Sequence, residues 1–600
     1  MRFRWLLAPA QPLLAGKLAA DLNLRPLLAQ CLLNRGLDEP APISAFLQPR
    51  LKQLADPFLL PNMEAAVARL FRARERNEPL VIFGDYDVDG VTSTALLQEV
   101  LQALGWTVNC YLPHRMDEGY GLSQDGVENC LRQFPSTLLL AVDCGSTAVE
   151  TIAWLQKRGV DVIVLDHHQA AFPAPAAVAI VNPQLAPGPS PARTSLSNPA
   201  SPQDSAAPPL RPSGGTAPHD FTELCSAGLA FKLAHALVKH GRAAGLPGAD
   251  VYDLRSLLDL VALGTIADIV PLTGENRILV AIGLECLNTT RRPGLMALKT
   301  VAQSPEFLGT YDVAFQLAPR LNAAGRLETA EESLLLLQAR DETEAMPIAQ
   351  TLDSCNRERQ KIERAIVDEV IATLRARFNP ETDFVIVEGQ PTWHIGVVGI
   401  VASRVLQQFH RPTIIVGGEG GNWRGSGRSI EGFDLAAALR ECGDLLVRHG
   451  GHAMAAGLTI QPANLDAFRA RLNELARRVL TLETLQTPLR LDAEVGLEEM
   501  TLECLADLEK LKPLGQGNPA AQFFTRNLTH QRPLQRIGAE KQHVKMWVTD
   551  GSTTQEAIWW NAGNESLPVG RFDLAFAPIV NQYHGRRLVQ LKVLDWRGAR

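Results

Sequence analysis

Between Leu80 and His168 the chain repeats one pattern that narrows its possible folds sharply: a short apolar run, then an acid, then a stretch with helical periodicity. The apolar runs are PLVIF, STLLLAV and VDVIVL. VTSTALLQEVLQAL and the segment ending at Gly159 separate them with apolar residues at helical spacing. Strands alternating with helices in this way predict an α/β fold built on a parallel, doubly wound sheet.

In such a sheet the carboxyl ends of the strands line one crevice, the usual place for a ligand. The first strand runs into Asp85, Asp87 and Asp89 at alternate positions, the second into Asp143, and the third into Asp166, His167 and His168. If the chain stays extended, the three alternating acids project to one side. Taken singly, Asp85 or Asp143 reads as a helix cap or turn former. Taken together, acids from three strands crowd one edge, which is unfavourable unless cations neutralise them or they take up protons. Asp268 adds a carboxylate from the apolar helix LLDLVALGTIADIVPL. There, a hydrogen bond to a helix terminus and a metal contact are both open readings. Mixed Asp and His donors suit Mn2+, with Mg2+ as the alternative; zinc fits less well because no thiolate is on offer.

The 600 residues, 46% apolar and 20% charged, are too many for one core and suggest three or four domains. Residues 1–60 read as short helical pieces with no chemistry. Residues 61–295 hold the parallel sheet, interrupted over 185–220 by a Pro/Ser/Ala-rich stretch read as a flexible surface insertion. Connecting helices fill 296–378, with one long charged helix expected over Thr351–Phe378. A second, smaller α/β unit over 379–470 opens on DFVIVEG, and residues 485–600 alternate apolar and polar positions in short strands, as a small β-barrel does.

Nine cysteines, an odd number without Cys-x-x-Cys spacing, argue against a disulfide framework and a zinc ribbon and for a reducing, cytoplasmic setting. Prolines interrupt Met1–Gly16, so export is not expected, and no run approaches the roughly 18 apolar residues of a membrane helix. The net charge of −7 disfavours a protein that coats nucleic acid indiscriminately. From Arg526 onward, however, 11 Lys and Arg stand against 6 Asp and Glu, so a basic end follows an acidic body.

Several segments read as substrate contacts. GGEGGNWRGSGRS, Gly417–Ser429, is a glycine-dense loop whose amides, with Arg424 and Arg428, suit a phosphate. The turn at Gly450, Gly451 and His452 offers further amides. Arg320, Asn322 and Arg326 fall in a stretch without apolar period, which favours polar contacts. Trp547, Trp559, Trp560 and Tyr583 stand among Arg and Lys in the barrel segment, as in folds that stack single-stranded bases, although core packing explains aromatics there equally well.

Gly84-Asp-Tyr-Asp-Val-Asp-Gly90, Val142-Asp-Cys-Gly145, Asp166-His-His168 and Gly264-Thr-Ile-Ala-Asp-Ile-Val-Pro271, in that order, resemble the four motifs of the DHH phosphoesterases. Pro319-Arg-Leu-Asn-Ala-Ala-Gly-Arg326, Gly425-Ser-Gly-Arg-Ser429 and Gly450-Gly-His-Ala-Met-Ala-Ala-Gly457 are similar to the branch of that family that degrades single-stranded DNA from its 5′ end. Val88 stands where the family commonly has alanine, and the insertion is longer than expected. The resemblance implies a DHH domain, a DHH-associated domain and an OB-like barrel. It implies that Asp87, Asp89, Asp143, His167 and Asp268 hold two divalent cations, Mn2+ or Mg2+, with Asp143 between them and Asp85, Asp166 and His168 adjacent. It implies that Arg115 helps to bind a terminal phosphate and that Tyr120 stacks on a base; Arg320, Asn322, Arg326, Ser426, Arg428, Gly451 and His452 complete the expected substrate contacts. The implied activity is 5′→3′ hydrolysis of single-stranded DNA to mononucleotides in repair and recombination, by a monomer working with a single-strand-binding protein and a RecQ-type helicase. The alternatives are a DHH phosphodiesterase for short or cyclic nucleotides and a non-catalytic binding relative.

Overall fold

A computed structural model of the chain describes residues 3–114, 117–119, 121–185, 221–327, 329–563, 565–583 and 585–599. The expectations for Arg115, Tyr120 and nearly all of the 185–220 insertion lie outside them.

The chain opens on a strand, β1 (Phe3–Leu7), and not on a helix. Helices Pro12–Leu22, Pro26–Leu33 and Pro40–Leu47 follow, each starting on a proline whose missing N–H falls where a helix has no internal acceptor. They do not close a core of their own. Leu18, Leu28, Leu32 and Ile43 are buried with Phe523, Leu528, Met546 and Phe576 from the other end of the chain.

The expected parallel sheet comprises β2 (Leu80–Gly84), β3 (Val108–Tyr111), β4 (Leu138–Val142), β5 (Asp161–Leu165) and β6 (Ala179–Val181). Its order is β3-β2-β4-β5-β6, all pairs parallel. Leu80 and Ile82 of β2 enter one core, Val81 and Phe83 the core on the opposite face. That is why the strand reads as an unbroken apolar run: each such side chain contributes roughly 1.5–3 kcal/mol on burial, and both faces have a layer to bury against. The larger core extends from Ala55 to Leu352, so helices beyond residue 296 share it.

The long helix spans Glu342–Arg377, starting nine residues before the sequence expectation; Asp341 caps it, accepting from Glu344 N at 3.0 Å, and Pro347 inside it hid its beginning. Ala345, Ala349 and Leu352 belong to the first core, while Ile366, Val370 and Leu374 pack in the second domain, so one rod ties the two. The second sheet, β7 (Ile386–Gln390), β8 (Thr413–Gly417), β9 (Trp423–Arg428), β10 (Leu446–Gly451) and β11 (Ala455–Ile460), has order β10-β11-β9-β8-β7, and only β7 and β8 pair in parallel.

β12 (Thr487–Leu491) pairs in parallel with β1. A seven-stranded sheet follows, with β13 (Ala493–Glu494), β14 (Phe523–His530), β15 (Gln535–Ile537), β16 (His543–Thr549), β17 (Thr554–Trp559), β18 (Phe572–Tyr583) and β19 (Arg586–Gly598) in the order β13-β14-β18-β19-β17-β16-β15. Thr529 and His530 of β14 also pair with β16. Arg277, 2% exposed, fastens this end to the body around the parallel sheet by donating to the carbonyls of Phe46, Lys510, Leu511, Lys512 and Pro513. Among the described residues no helix is long and apolar enough to cross a membrane.

Candidate metal centre

Asp85, Asp143 and Asp166 are each the first residue beyond a strand, and each N–H extends the parallel ladder by one bond: to Val142 O at 3.2 Å, Leu165 O at 3.0 Å and Val181 O at 3.2 Å. Register alone therefore lines these acids along the carboxyl edge, beside the point where strand order reverses between β2 and β4. Asp143 adopts φ 63, a left-handed conformation uncommon for a residue other than glycine. The segment expected to run extended through Asp89 does not. A helix, Val88–Ala103, begins within it because Asp87 caps the first turn, accepting from Asp89 N at 2.9 Å and Gly90 N at 3.2 Å. Gly90 is required here, since a Cβ would lie 2.5 Å from the Asp85 carbonyl oxygen.

The other wall is helical. At the N-terminus of helix Ser226–Ala243, the amides of Ser226 and Ala227 donate to the Asp89 carboxylate at 2.7 and 2.8 Å, and Ser226 Oγ donates to Asp143 Oδ1 at 2.9 Å. Helix Leu258–Ala267 packs close against both through Gly264, where a Cβ would stand 2.4 Å from Thr92 Oγ1 and 2.6 Å from Ala227 Cβ. Asp268 caps the C-terminal end of that helix and does not lie within it. A carboxylate at this negative pole is unfavourable without a cation beside it.

These elements converge on His167. Its Nε2 lies 3.5 Å from Asp143 Oδ1, 3.6 Å from Asp268 Oδ2 and 3.9 Å from Asp89 Oδ2, and it is buried without a hydrogen-bond partner. Three donor groups, each with its atoms within 4.8 Å of one another, fill the site: Asp143 with His167 and His168, Asp85 with Asp87 and Asp143, and Asp89 with Cys225 and Asp268. Asp143 belongs to two of them. Cys225 corrects the expectation that no thiol is on offer. Only its place directly before the Ser226 helix could have signalled it, and Ser226 was missed for the same reason.

Burial drives the electrostatics. It pushes the Asp89 carboxyl up to about 7, with help from Asp87, and the Asp268 carboxyl up to about 9, with help from Asp89 and Asp87. Asp143 stands well above the usual carboxylate range through burial and then the charges of Asp89, Asp87, Asp85 and Asp268. Burial and the neighbouring His168 hold His167 down at about 4. Asp166 and His168 behave oppositely. Burial opposes both charges, yet the 2.8 Å bond from His168 Nδ1 keeps Asp166 below the usual range and raises His168 to about 9. Ser146 N also donates to Asp166 at 3.0 Å, and Asn182 Nδ2 donates to the His168 carbonyl at 2.8 Å, so this pair is held firmly. Crowded acids that favour protons and a neutral imidazole with an unsatisfied buried nitrogen are the donor set a divalent cation fits.

The expected substrate residues fare variously. Arg320, Asn322 and Arg326 lie on a helix, Ala318–Leu327, and not in irregular chain. Arg320 Nε pairs with Asp353 of the long helix at 2.9 Å. Asn322 Oδ1 accepts from Val88 N at 3.2 Å and so steadies the helix that carries Asp89. Arg326 Nη1 donates to the Gly396 carbonyl at 3.3 Å, a contact with the second domain. The glycine-dense loop is largely strand: Ser426 and Arg428 sit on β9, with Arg428 Nη1 2.9 Å from Ser426 Oγ. They face the first turn of helix Val398–Phe409, where a Cβ on Gly399 would lie 3.0 Å from Ser426 Oγ. Gly450 and Gly451 end β10, and His452 begins the turn into β11, its N–H bonded to Ala455 O at 2.8 Å; no helix starts there. In the last domain Trp559 is core, Trp560 is exposed, and half-buried Trp547 lines a cleft of about 530 Å³ with Arg532 4.2 Å and Lys545 5.2 Å from its ring centre. The Tyr583 side chain is outside the described residues.

An open parallel sheet with this acid and imidazole cluster at its carboxyl edge defines a phosphoesterase of the DHH class. Residues 79–265 match the model of the DHH family, N-terminal domain, residues 382–478 the DHHA1 domain, and residues 491–595 the RecJ OB domain. The single-stranded-DNA-specific exonuclease RecJ of Bacillus subtilis is 36% identical over 586 residues, spanning 96% of this chain and 69% of the relative. The crystal structure of RecJ in complex with Mn2+ from Thermus thermophilus superposes with a TM-score of 0.81 at 30% identity, covering 100% of this chain and 80% of that one. The same protein's complex with Mg2+ gives 0.75 at 28% identity, covering 100% and 79%. The chain belongs to the RecJ family.

Proposed function

We propose that the chain hydrolyses single-stranded DNA in the 5′→3′ direction, releasing 5′-mononucleotides, in repair and recombination, with two divalent cations, Mn2+ or Mg2+, as cofactors. One observation carries this reading: an unpartnered buried imidazole nitrogen 3.5–3.9 Å from three carboxylates, in a chain whose last domain has a cationic, aromatic cleft. The names of the curated relatives support the substrate class, and the Mn2+ and Mg2+ complexes of the Thermus thermophilus relative support the cofactors.

Asp87, Asp89, Asp143, His167 and Asp268 would hold the cations, with Asp143 shared and Asp85 alongside. When bound, such a pair polarises the phosphoryl oxygens and lowers the pKa of attacking water. The chain's own residues do the rest. Asp166 holds and orients the His168 ring, and that side chain, 36% exposed, is available to an incoming phosphodiester. Arg428 and Ser426 supply phosphate contacts from β9, and Trp547 a stacking face for a base. A single-strand-binding protein and a RecQ-type helicase are the expected partners of a monomeric enzyme.

End-labelled single and double strands, with free or phosphorylated 5′ ends and with Mn2+ or Mg2+ added, test the reading. Mononucleotides should leave a 5′-labelled single strand only when a cation is supplied. First release from the 3′ end, or faster turnover of a dinucleotide than of a long strand, would overturn it.

A further inference from the structure

We infer that this cluster takes a thiophilic divalent cation of the zinc or cadmium class at one of its positions, through Cys225, and that such a cation displaces the catalytic one from that position. The inference rests on the metal-centre reading above and deepens it.

Asp89, Cys225 and Asp268 come from the first turn of the Val88 helix, the N-cap of the Ser226 helix and the C-cap of the Leu258 helix, and their donor atoms lie within 4.8 Å of one another. Cys225 is fully buried, its Sγ 3.5 Å from Thr265 Oγ1. An independent observation points to the same place. The unpartnered His167 Nε2 faces two of these carboxylates, at 3.9 Å from Asp89 Oδ2 and 3.6 Å from Asp268 Oδ2. Two carboxylates and a thiol, with an imidazole facing the same two carboxylates, are donors of the kind that zinc accepts, whereas Mn2+ and Mg2+ draw little from sulfur. On binding, the thiol gives its proton to solvent and the sulfur takes the cation in its place. Among the described residues no other cysteine joins such a group, although Cys144 neighbours Asp143 in sequence.

The full-length, metal-free protein is titrated with Cd2+ while the ultraviolet thiolate-to-cadmium charge-transfer band is followed; Mn2+ binding is read separately by electron paramagnetic resonance. Wild type should give the band and release Mn2+ as Cd2+ is added. In Cys225→Ser the band should vanish and Cd2+ affinity fall on the order of 10- to 100-fold, a larger loss than any in Mn2+ affinity. If the serine variant does not fold, Cys225→Ala, which buries no new hydroxyl, gives the same decision. A band of equal strength in the variant, or none in wild type that still binds Mn2+, overturns this inference alone. Failure of wild type to bind either ion removes the metal-centre reading with it.

Discussion

Ser226 Oγ donates a 2.9 Å hydrogen bond to Asp143 Oδ1, joining residues 83 positions apart, while the Ser226 N–H donates to Asp89 at 2.7 Å. One residue at a helix N-terminus therefore orients two acids that would otherwise repel each other. The positive pole of that helix also offsets part of their charge before any cation arrives.

Ser226→Ala removes the hydroxyl and leaves the amide. Stability should fall by about 1 kcal/mol, and Mn2+ affinity by roughly tenfold because Asp143 loses its orientation. Isothermal titration with Mn2+ and a thermal melt separate the two effects; unchanged Mn2+ affinity would deny the hydroxyl a role at the centre.

Asp143→Asn takes one buried charge out of the crowd. The metal-free variant should melt no lower than wild type, bind single-stranded DNA normally and cleave nothing. Wild type should gain about 2.7 kcal/mol of stability when Mn2+ is present at 100 times its dissociation constant, and the variant almost none. Cleavage at the wild-type rate would remove the mechanism.

Stability without metal should fall as pH rises from about 7 to about 9. Folding raises Asp268 from 3.8 to about 9 and His168 from 6.5 to about 9, so in this window the folded chain holds protons that the unfolded chain has released. That linkage makes the slope negative. His167, lowered from 6.5 to about 4, has the opposite sign but acts only below 6.5. Saturating Mn2+ should flatten the part of the slope that comes from Asp268 by replacing its proton. Melting temperatures across the window, with and without Mn2+, check this, and a level metal-free profile would contradict it.

Asn322→Ala tests positioning against substrate contact. Because Asn322 Oδ1 accepts from Val88 N, its loss should weaken Mn2+ binding by roughly tenfold and lower kcat, leaving KM for DNA unchanged. A raised KM with normal Mn2+ affinity would return Asn322 to the substrate.

Trp547 and Trp559 lie twelve residues apart in the chain and should answer alanine differently. Trp547→Ala removes a half-exposed stacking face and should cost about 1–3 kcal/mol of single-strand affinity without unfolding the domain. Trp559→Ala opens a cavity in the core, worth about 3–5 kcal/mol of stability. Fluorescence anisotropy with labelled strands and thermal melts tell them apart.

Much of the site was legible because its signals are local. PLVIF, TLLLAV and VDVIVL announce strands covered on both faces, and the acid after each marks the carboxyl edge. Other features were not legible. Asp87 and Asp89 alternate as in a strand, yet a cap and two amide bonds turn the chain into a helix there. GGEGGNWRGSGRS looks like loop because glycines dilute its strand pattern, although pairing with β8 and β11 on both sides holds it extended from Trp423 to Arg428.

By itself the sequence determined the alternation of strands and helices in the parallel sheet and which acids and histidines stand just beyond its strands, since these follow from periods of two and 3.6 residues along a single stretch of chain. Only the tertiary structure decided that Cys225 stands beside Asp89 and Asp268, that Ser226 bridges two acids, and that the first helices bury themselves against the last strands. Those relations depend on how helices and sheets pack over hundreds of residues, and no local pattern carries that distance.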